Sequence, residues 1–306
     1  MSERERYFRP EVLSRIARLE LRARHVVEGL LSGMHKSPYK GLSVEFASHR
    51  LYVPGDDIRH IDWRVYAKAD RFFIKEYEEE TNLRVQLVLD SSRSMAYPEH
   101  PGTPRMTKWD YAATLAASLA HLLIYQQDAV GLTLFDAGIR RQLPVSGSRA
   151  ALHDLAATIE ACRPDDRTDA KALFEQLAGH LPRRGLVVIL SDLLTDLDDV
   201  IGGLSRLRYG GHDVIVLHVL DHDELEFPFA DRTLFEAMEE ANLEVLTDPQ
   251  SLRNSYLEAL HRFVQRIQSA CLDRKIDYTL ISTAESLDVA LSTFLATRMH
   301  RQRARA

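Results

Sequence analysis

Cysteine is scarce in this chain. Its 306 residues include only Cys162 and Cys271, which lie far apart inside helical patterns. This spacing excludes a disulfide framework and favours a reducing compartment. The thirteen histidines are scattered, and no two stand at a ligand spacing with a third in support. We therefore do not expect a zinc site.

Long apolar runs are also absent. No run approaches the roughly 18 apolar residues that a membrane-spanning helix needs, and the charged N-terminus lacks the apolar core of a signal peptide. The 39 basic and 45 acidic residues give a formal net charge of −6, which offers no sign of nucleic-acid binding. We expect a cytoplasmic protein that does not bind nucleic acid and has no membrane span.

The motifs of several common enzyme classes are missing as well. The chain has no Gly-rich phosphate loop, no nucleophile elbow and no Asp-x-Asp pair after its first apolar strand. An aspartyl-phosphate mechanism would require a second acid near Asp90 and a lysine at the site, whereas the chain has Ser92. The sequence therefore predicts no catalytic residues and favours a binding protein over an enzyme.

One short apolar run ends in a carboxylate that two hydroxyls follow. Residues 85–89 have the length and composition of a buried strand in a parallel sheet, and Asp90, Ser92 and Ser94 come next. Ligand sites in open α/β sheets lie just beyond the carboxyl ends of such strands. Carboxylate and hydroxyl oxygens are the hard ligands that suit Mg²⁺. The alternative is a polar turn, because Asp and Ser are common turn formers.

Two later segments extend this pattern. Thr168 precedes a helical pattern that either Thr168 or Asp169 is placed to cap. Residues 185–192 form a second apolar strand that ends at Asp192. If the two strands are neighbours, Asp90 and Asp192 emerge side by side, with Thr168 on a loop nearby. The sequence predicts a site for Mg²⁺, or for another divalent cation, at Asp90, Ser92, Ser94, Thr168 and Asp192. The alternatives are a helix cap for Ser94 and simple turns for Thr168 and Asp192.

Strand and helix patterns alternate from Arg84 onward, which predicts a doubly wound α/β fold with a mainly parallel sheet. Three parts are expected: an amphipathic helix in residues 1–34, a β-rich segment in 35–82 packed on the core, and an α/β domain in 83–300. The α/β domain is expected to contain strands at 85–89, 129–135, 139–143, 185–192, 213–220 and 277–282, helices at 108–126, 149–161, 169–181, 198–208, 251–273 and 286–298, and a hairpin insertion at 224–248.

Two resemblances add to these patterns. The order Asp-x-Ser-x-Ser, then Thr, then a strand-terminal Asp resembles the metal-ion-dependent adhesion site of von Willebrand factor A domains. The chain is also similar to the domain of unknown function 58 family, prokaryotic proteins that carry a von Willebrand factor A-like domain, across residues 35–285. Besides the Asp90 motif, the residues that carry this likeness are Gly41, Glu45, Phe46, Arg50, Tyr52, Pro54, Gly55, Asp56, Asp57, Arg59, Ile61, Asp62, Trp63 and Lys75.

The chain departs from these relatives in two ways. Adhesion-type domains often place Gly after the third-loop Asp, whereas Leu193 follows Asp192 here. Longer relatives carry transmembrane helices before the motif region, and this chain shows none.

The resemblance implies a function. Family members are often encoded beside MoxR-type AAA+ ATPases and are thought to act as adaptors or chaperone partners. This implies a protein-binding adaptor whose Mg²⁺ keeps an open coordination position for an acidic residue of the ATPase or of its client. Two alternatives stay open: a hydrolase in which Asp90 and Asp192 hold a Mg²⁺ that activates water against a phosphoester, and a purely structural adaptor with an empty site.

Overall fold

The structure is a computed structural model that describes residues 19, 21–24, 27, 49–51, 66, 71–75, 83–98, 105–165, 169–181, 184–229, 233–236, 238, 244–247 and 249–295. The chain divides into two compact units, Met1–Leu30 together with Leu83–Ala306, and Leu31–Asn82. In the smaller unit, strands β1 (His49–Leu51) and β2 (Phe73–Lys75) pair antiparallel. Several of the residues that carry the family likeness, among them Pro54, Gly55, Asp56 and Asp57, lie outside the described residues.

The described part of the N-terminal segment is helical and amphipathic. Leu19, Ala23 and Val27 are buried, whereas Leu21 is exposed. The buried residues recur every four positions, which places them on one face of a helix. This agrees with the helix predicted here, as far as the residues are described.

The larger unit is built on a six-stranded sheet. Its strands and the neighbouring hairpin are β3 (Arg84–Asp90), β4 (Ala129–Phe135), β5 (Ile139–Ser146), β6 (Leu186–Ser191), β7 (Asp213–Leu220), β8 (Thr233–Glu236), β9 (Glu244–Thr247) and β10 (Asp277–Ser282). The sheet order is β10-β7-β6-β3-β4-β5, and every pair is parallel except β4 with β5. Strands β8 and β9 form a separate antiparallel pair, the hairpin predicted in this region.

Helices cover both faces of this sheet. They are α1 (Lys108–Tyr125), α2 (Arg149–Ala161), α3 (Ala170–His180), α4 (Leu197–Tyr209), α5 (His222–Glu226), α6 (Pro249–Asp273) and α7, described over residues 287–295. Helix α1 packs on β3 and β4. On the opposite face, α3, α4 and α6 share a buried apolar cluster with Val88, Ile189 and Val216. Central-strand residues are therefore buried on both faces, as parallel sheets require.

The strand order locates the ligand-binding edge. Numbered along the chain within this sheet, the strands run 3-2-1-4-5-6, the order of a doubly wound fold whose ligands bind where the order reverses. That point lies between β3 and β6. The predicted α/β class and mainly parallel sheet are confirmed. Strand β5 runs past the expected end at residue 143 and through Pro144, because a missing N–H is tolerated on an edge strand.

Within the described ranges, every helix falls short of the length and apolar content that crossing a bilayer requires. Both cysteines are buried free thiols.

Candidate functional site

The two predicted aspartates lie at the point where the strand order reverses. Strands β3 and β6 pair in parallel, with Val85 opposite Leu186 and Leu89 opposite Leu190. Asp90 ends β3, and Asp192 follows the last residue of β6. The two strands are therefore neighbours, which was the condition for Asp90 and Asp192 to emerge side by side, and both carboxylates lie at one edge of the sheet.

Asp90 is fully buried and bonded on both of its oxygens. Its Oδ1 accepts the N–H of Ser92 at 2.9 Å, and its Oδ2 accepts the hydroxyl of Ser191 at 2.5 Å. Burial and then the negative charge of Asp192 raise the pKa of Asp90 to about 7, although the bonds from Ser191 and Ser92 act in the opposite direction. Because burial is the larger cause, ionising Asp90 in the folded chain is costly.

The two motif serines close the space around these carboxylates. The hydroxyls of Ser92 and Ser94 lie 3.1 Å apart, and Ser94 also bonds to Asp192. Four of the five predicted ligands, Asp90, Ser92, Ser94 and Asp192, are thus brought together. Thr168 lies outside the described residues, and its ligand role stays a prediction. Asp169 caps α3, since its carboxylate accepts the N–H of Ala172 at 2.9 Å.

A buried lysine completes the cluster. Lys108, the first residue of α1, donates from Nζ to Asp192 Oδ2 at 2.7 Å and to Glu224 Oε1 at 2.6 Å. Burial works against a charged amine, but the two carboxylates hold the pKa of Lys108 above its usual value. Burial also opposes ionisation of Asp192, yet the lysine keeps its pKa below the usual range. Burial raises the pKa of Glu224.

Lys108 and Glu224 were not expected at the site, and the expectation that the site lacks a lysine is wrong. The lysine bonds to Asp192 and Glu224 and makes no described bond to Asp90. One sequence signal existed: a lysine at the first position of an apolar helix opposes the helix dipole and needs a nearby anion. Glu224 gave no separate signal, because its position three residues after Asp221 is explained by a helix cap. Its other oxygen accepts the N–H of Asp221 at 2.7 Å in a capping box.

The backbone beyond Asp192 is held in a conformation that favours glycine. Leu193 has φ of 54°, which lies in the left-handed region where a side chain is strained. Its N–H bonds to the Ser191 hydroxyl at 2.9 Å, and its side chain is buried. His218 Nε2 lies 2.8 Å from the carbonyl of Asp192, and Nδ1 lies 2.7 Å from the Tyr278 hydroxyl. Burial lowers the pKa of His218 to about 4, so the ring is neutral.

These residues fit a hard divalent cation by the chemistry of their donors. Two carboxylates and two hydroxyls supply oxygen ligands of the kind that Mg²⁺ takes. The described partners of the Asp90 carboxylate are the N–H of Ser92 and the hydroxyl of Ser191, whereas Lys108 bonds to Asp192 and Glu224. In the part of the chain that the structure describes, no three His, Cys, Asp or Glu side chains are grouped to hold a metal. A cation at this edge would therefore depend on the serine hydroxyls.

Comparison with known proteins places the chain in a family. The profile described as "Protein of unknown function DUF58" matches residues 48–265, more than half of the chain. The chain belongs to the DUF58 family. Among the relatives of this DUF58 chain, the uncharacterised proteins Rv1480 of Mycobacterium tuberculosis and Mb1516 of Mycobacterium bovis are each 27% identical to it over 256 residues. The match covers 82% of this chain and 78% of each relative.

Solved structures similar to this DUF58 chain include a conserved hypothetical protein and a VWA domain. BatB from Bacteroides thetaiotaomicron matches with a TM-score of 0.44 and 16% identity, over 70% of this chain and 98% of its own. The SpRpn10 VWA domain matches with a TM-score of 0.37 and 14% identity, over 70% of this chain and 94% of its own.

Proposed function

We propose that this chain is a protein-binding adaptor whose edge site holds Mg²⁺ and presents it to an acidic residue of a partner. One observation carries the proposal: Asp90, Ser92, Ser94 and Asp192 converge at the switch point of a doubly wound sheet. Ligands bind at that point in open α/β sheets. Mg²⁺ takes only one or two carboxylates from protein and keeps other positions open, so a partner's Asp or Glu can fill one.

The partner follows from the family resemblance. Proteins of this kind are often encoded beside MoxR-type AAA+ ATPases, and we propose that such an ATPase, or its client, supplies the acidic residue. Asp90, Ser92 and Asp192 are buried in the conformation described. A partner carboxylate therefore reaches the metal only after neighbouring segments move, which makes engagement conditional on a conformational change.

Metal binding is tested first, by thermal melts of the full chain in EDTA and in millimolar MgCl₂. A ligand at about 100 times its dissociation constant adds ~2.7 kcal/mol to the folded state, a shift of several degrees at roughly 2–4 °C per kcal/mol. The shift should vanish in Asp90→Ala and Asp192→Asn, and it should be smaller with Ca²⁺. Asp213→Ala is the matched control, because this exposed aspartate begins β7 at the opposite end of the strands. Equal shifts in all four proteins would place the stabilising metal elsewhere.

Partner binding is tested next, with the purified MoxR-type ATPase of the same organism. Wild-type chain and Asp213→Ala should bind it in Mg²⁺ and lose it in EDTA, whereas Asp90→Ala should not bind under either condition. Asp90 ends a strand beside Asp192, so its truncation should leave the apolar core intact. An Asp90→Ala protein that binds as tightly as wild type would show that recognition occurs at another surface.

A metal-dependent hydrolase would use the same ligands, so an activity assay on the same variants distinguishes it from the adaptor. Wild-type chain is incubated with p-nitrophenyl phosphate and Mg²⁺. The adaptor proposal expects no turnover above the Asp90→Ala background. Mg²⁺-dependent turnover that disappears in Asp90→Ala would replace the adaptor with the hydrolase.

A further inference from the structure

Lys108 is an unusual residue to find in the core of this site. Lysines are almost never fully buried unless paired, and its side chain is about 1% exposed. It also begins α1, where the helix dipole disfavours a positive charge. Two carboxylates offset both costs, at 2.7 Å on Asp192 and 2.6 Å on Glu224. The lysine is therefore held in place by one of the residues that the proposed metal needs.

Three carboxylates are linked to this edge directly or through Lys108, and the lysine is the only cation bonded to Asp192 in the described residues. Asp90, Asp192 and Glu224 supply three carboxylates, and Lys108 supplies one ammonium. With all of them ionised, two negative charges remain, which one divalent cation neutralises. Lysine and metal would then share Asp192, and each would repel the other at short range.

We propose that Lys108 sets the metal affinity of this site: its ammonium stabilises the metal-free fold and, by repulsion and by engaging Asp192, keeps Mg²⁺ binding weak. The inference rests on the proposed metal site and names the residue that tunes it. The metal-free chain stays folded because Asp192 and Glu224 already have a cation, and the same cation opposes the arrival of a second one.

The test is a calorimetric titration of the full chain with MgCl₂. Lys108→Met removes the charge and keeps an unbranched side chain of similar length. Removing one positive charge a few ångströms from a divalent ion strengthens binding by more than tenfold at an effective dielectric of about 20, and part of that gain is lost with the anchoring of Asp192. We expect the Kd for Mg²⁺ to fall about tenfold, while the melting temperature in EDTA falls. Lys171→Met, an exposed lysine of α3, is the matched control and should change neither quantity.

The two readouts separate an electrostatic role from a structural one. A lysine that only supports the fold would lower the melting temperature and leave Mg²⁺ binding equal or weaker on substitution. A Lys108→Met protein that binds Mg²⁺ no more tightly than wild type therefore overturns the inference. The double variant Asp90→Asn/Lys108→Met should lose the gain, which assigns the tighter binding to this site and not to a new one.

Glu224→Gln provides an independent arm if Lys108→Met fails to fold. The glutamine's single amide oxygen can accept only one of the two bonds that Glu224 accepts, from Asp221 or from Lys108, and Asp192 becomes the only carboxylate partner of the lysine. The lysine then holds Asp192 more strongly and the local charge is less negative, so the Kd for Mg²⁺ should rise at least about threefold. Unchanged or tighter binding in Glu224→Gln would overturn the inference.

The outcomes also separate this inference from the proposed function. Absence of Mg²⁺ binding in wild type and in Lys108→Met would refute the metal site and the inference together. Binding in wild type without a gain in Lys108→Met would refute the inference alone. Binding detectable only in Lys108→Met would support both.

Discussion

Asp90→Asn should stabilise the metal-free protein at neutral and alkaline pH. The structure buries Asp90 beside Asp192 and raises the pKa of its carboxyl from 3.8 to about 7. One unit of pKa corresponds to 1.36 kcal/mol, so ionising Asp90 in the folded chain costs up to roughly 4 kcal/mol above pH 7. An asparagine avoids this cost, and its amide can bond to both Ser92 and Ser191.

The pH dependence gives this prediction its sign. Between about pH 4 and pH 7 the folded protein keeps the Asp90 proton that the unfolded chain has released. This contribution to stability is therefore lost as pH rises through that window. The advantage of Asp90→Asn should be small near pH 4 and should reach about 2–4 kcal/mol at pH 8, or roughly 4–16 °C in melting temperature.

Melts by circular dichroism in EDTA, from pH 4.5 to 8, measure this difference directly. Asp192→Asn is the matched control at the same site and should behave in the opposite way. It leaves the buried ammonium of Lys108 with one carboxylate fewer, a loss of about 3–5 kcal/mol. If Asp90→Asn is no more stable than wild type at pH 8, or if its advantage does not change with pH, the charge balance derived for this site is wrong.

Three further predictions concern other parts of the fold. Gly203→Ala should lower the free energy of unfolding by about 1–3 kcal/mol in urea melts, because the new methyl overlaps the Phe174 ring. The exposed Gly202→Ala is the control: its methyl meets no other atom, and it should raise the free energy of unfolding by about 0.5–1 kcal/mol. Equal effects of the two substitutions would contradict the close approach of α3 and α4. Burial lowers the pKa of His218 to about 4, so the wild-type protein should lose up to roughly 3 kcal/mol of stability as pH falls from about 6.5 to 4 and the ring is forced to take up a proton. His218→Gln should lose less stability over this pH range, and an equal loss in both proteins would mean that the ring is not buried. Asp169→Ala should lower the free energy of unfolding in urea melts by about 1 kcal/mol, because α3 loses its N-cap. An unchanged free energy of unfolding would mean that another residue caps α3.

The fold was predictable from local patterns. Apolar runs of strand length alternate with amphipathic helices, and that alternation is enough for a parallel sheet covered on both faces. Asp90 and Asp192 were found because each ends an apolar strand, and parallel strands bring their carboxyl ends to one edge. Asp169 was one of two expected caps and is the one described.

The rest of the site depends on contacts that no local pattern records. Lys108 meets Asp192 across 84 residues of chain and Glu224 across 116. Composition rules place lysine at the surface, so burial of this one could be inferred only from its unfavourable position at a helix start. The backbone of Leu193 could not be predicted either, because nothing in the sequence indicates that this leucine is buried with a left-handed backbone.

The pairing of β3 with two neighbours also determines when the site can assemble. The end of β3 gains its first neighbouring strand once β4 is made. The hydroxyl of Ser91, next to Asp90, bonds there to the carbonyl of Phe135, which lies only 44 residues further along the chain. The contact of Asp90 with Ser191 closes a loop of 101 residues, and such long closures are slow and entropically costly. A nascent chain therefore cannot bring Asp90 and Asp192 together until the second half of the sheet has been synthesised and docked. The metal site proposed at this edge would consequently form only in the finished domain.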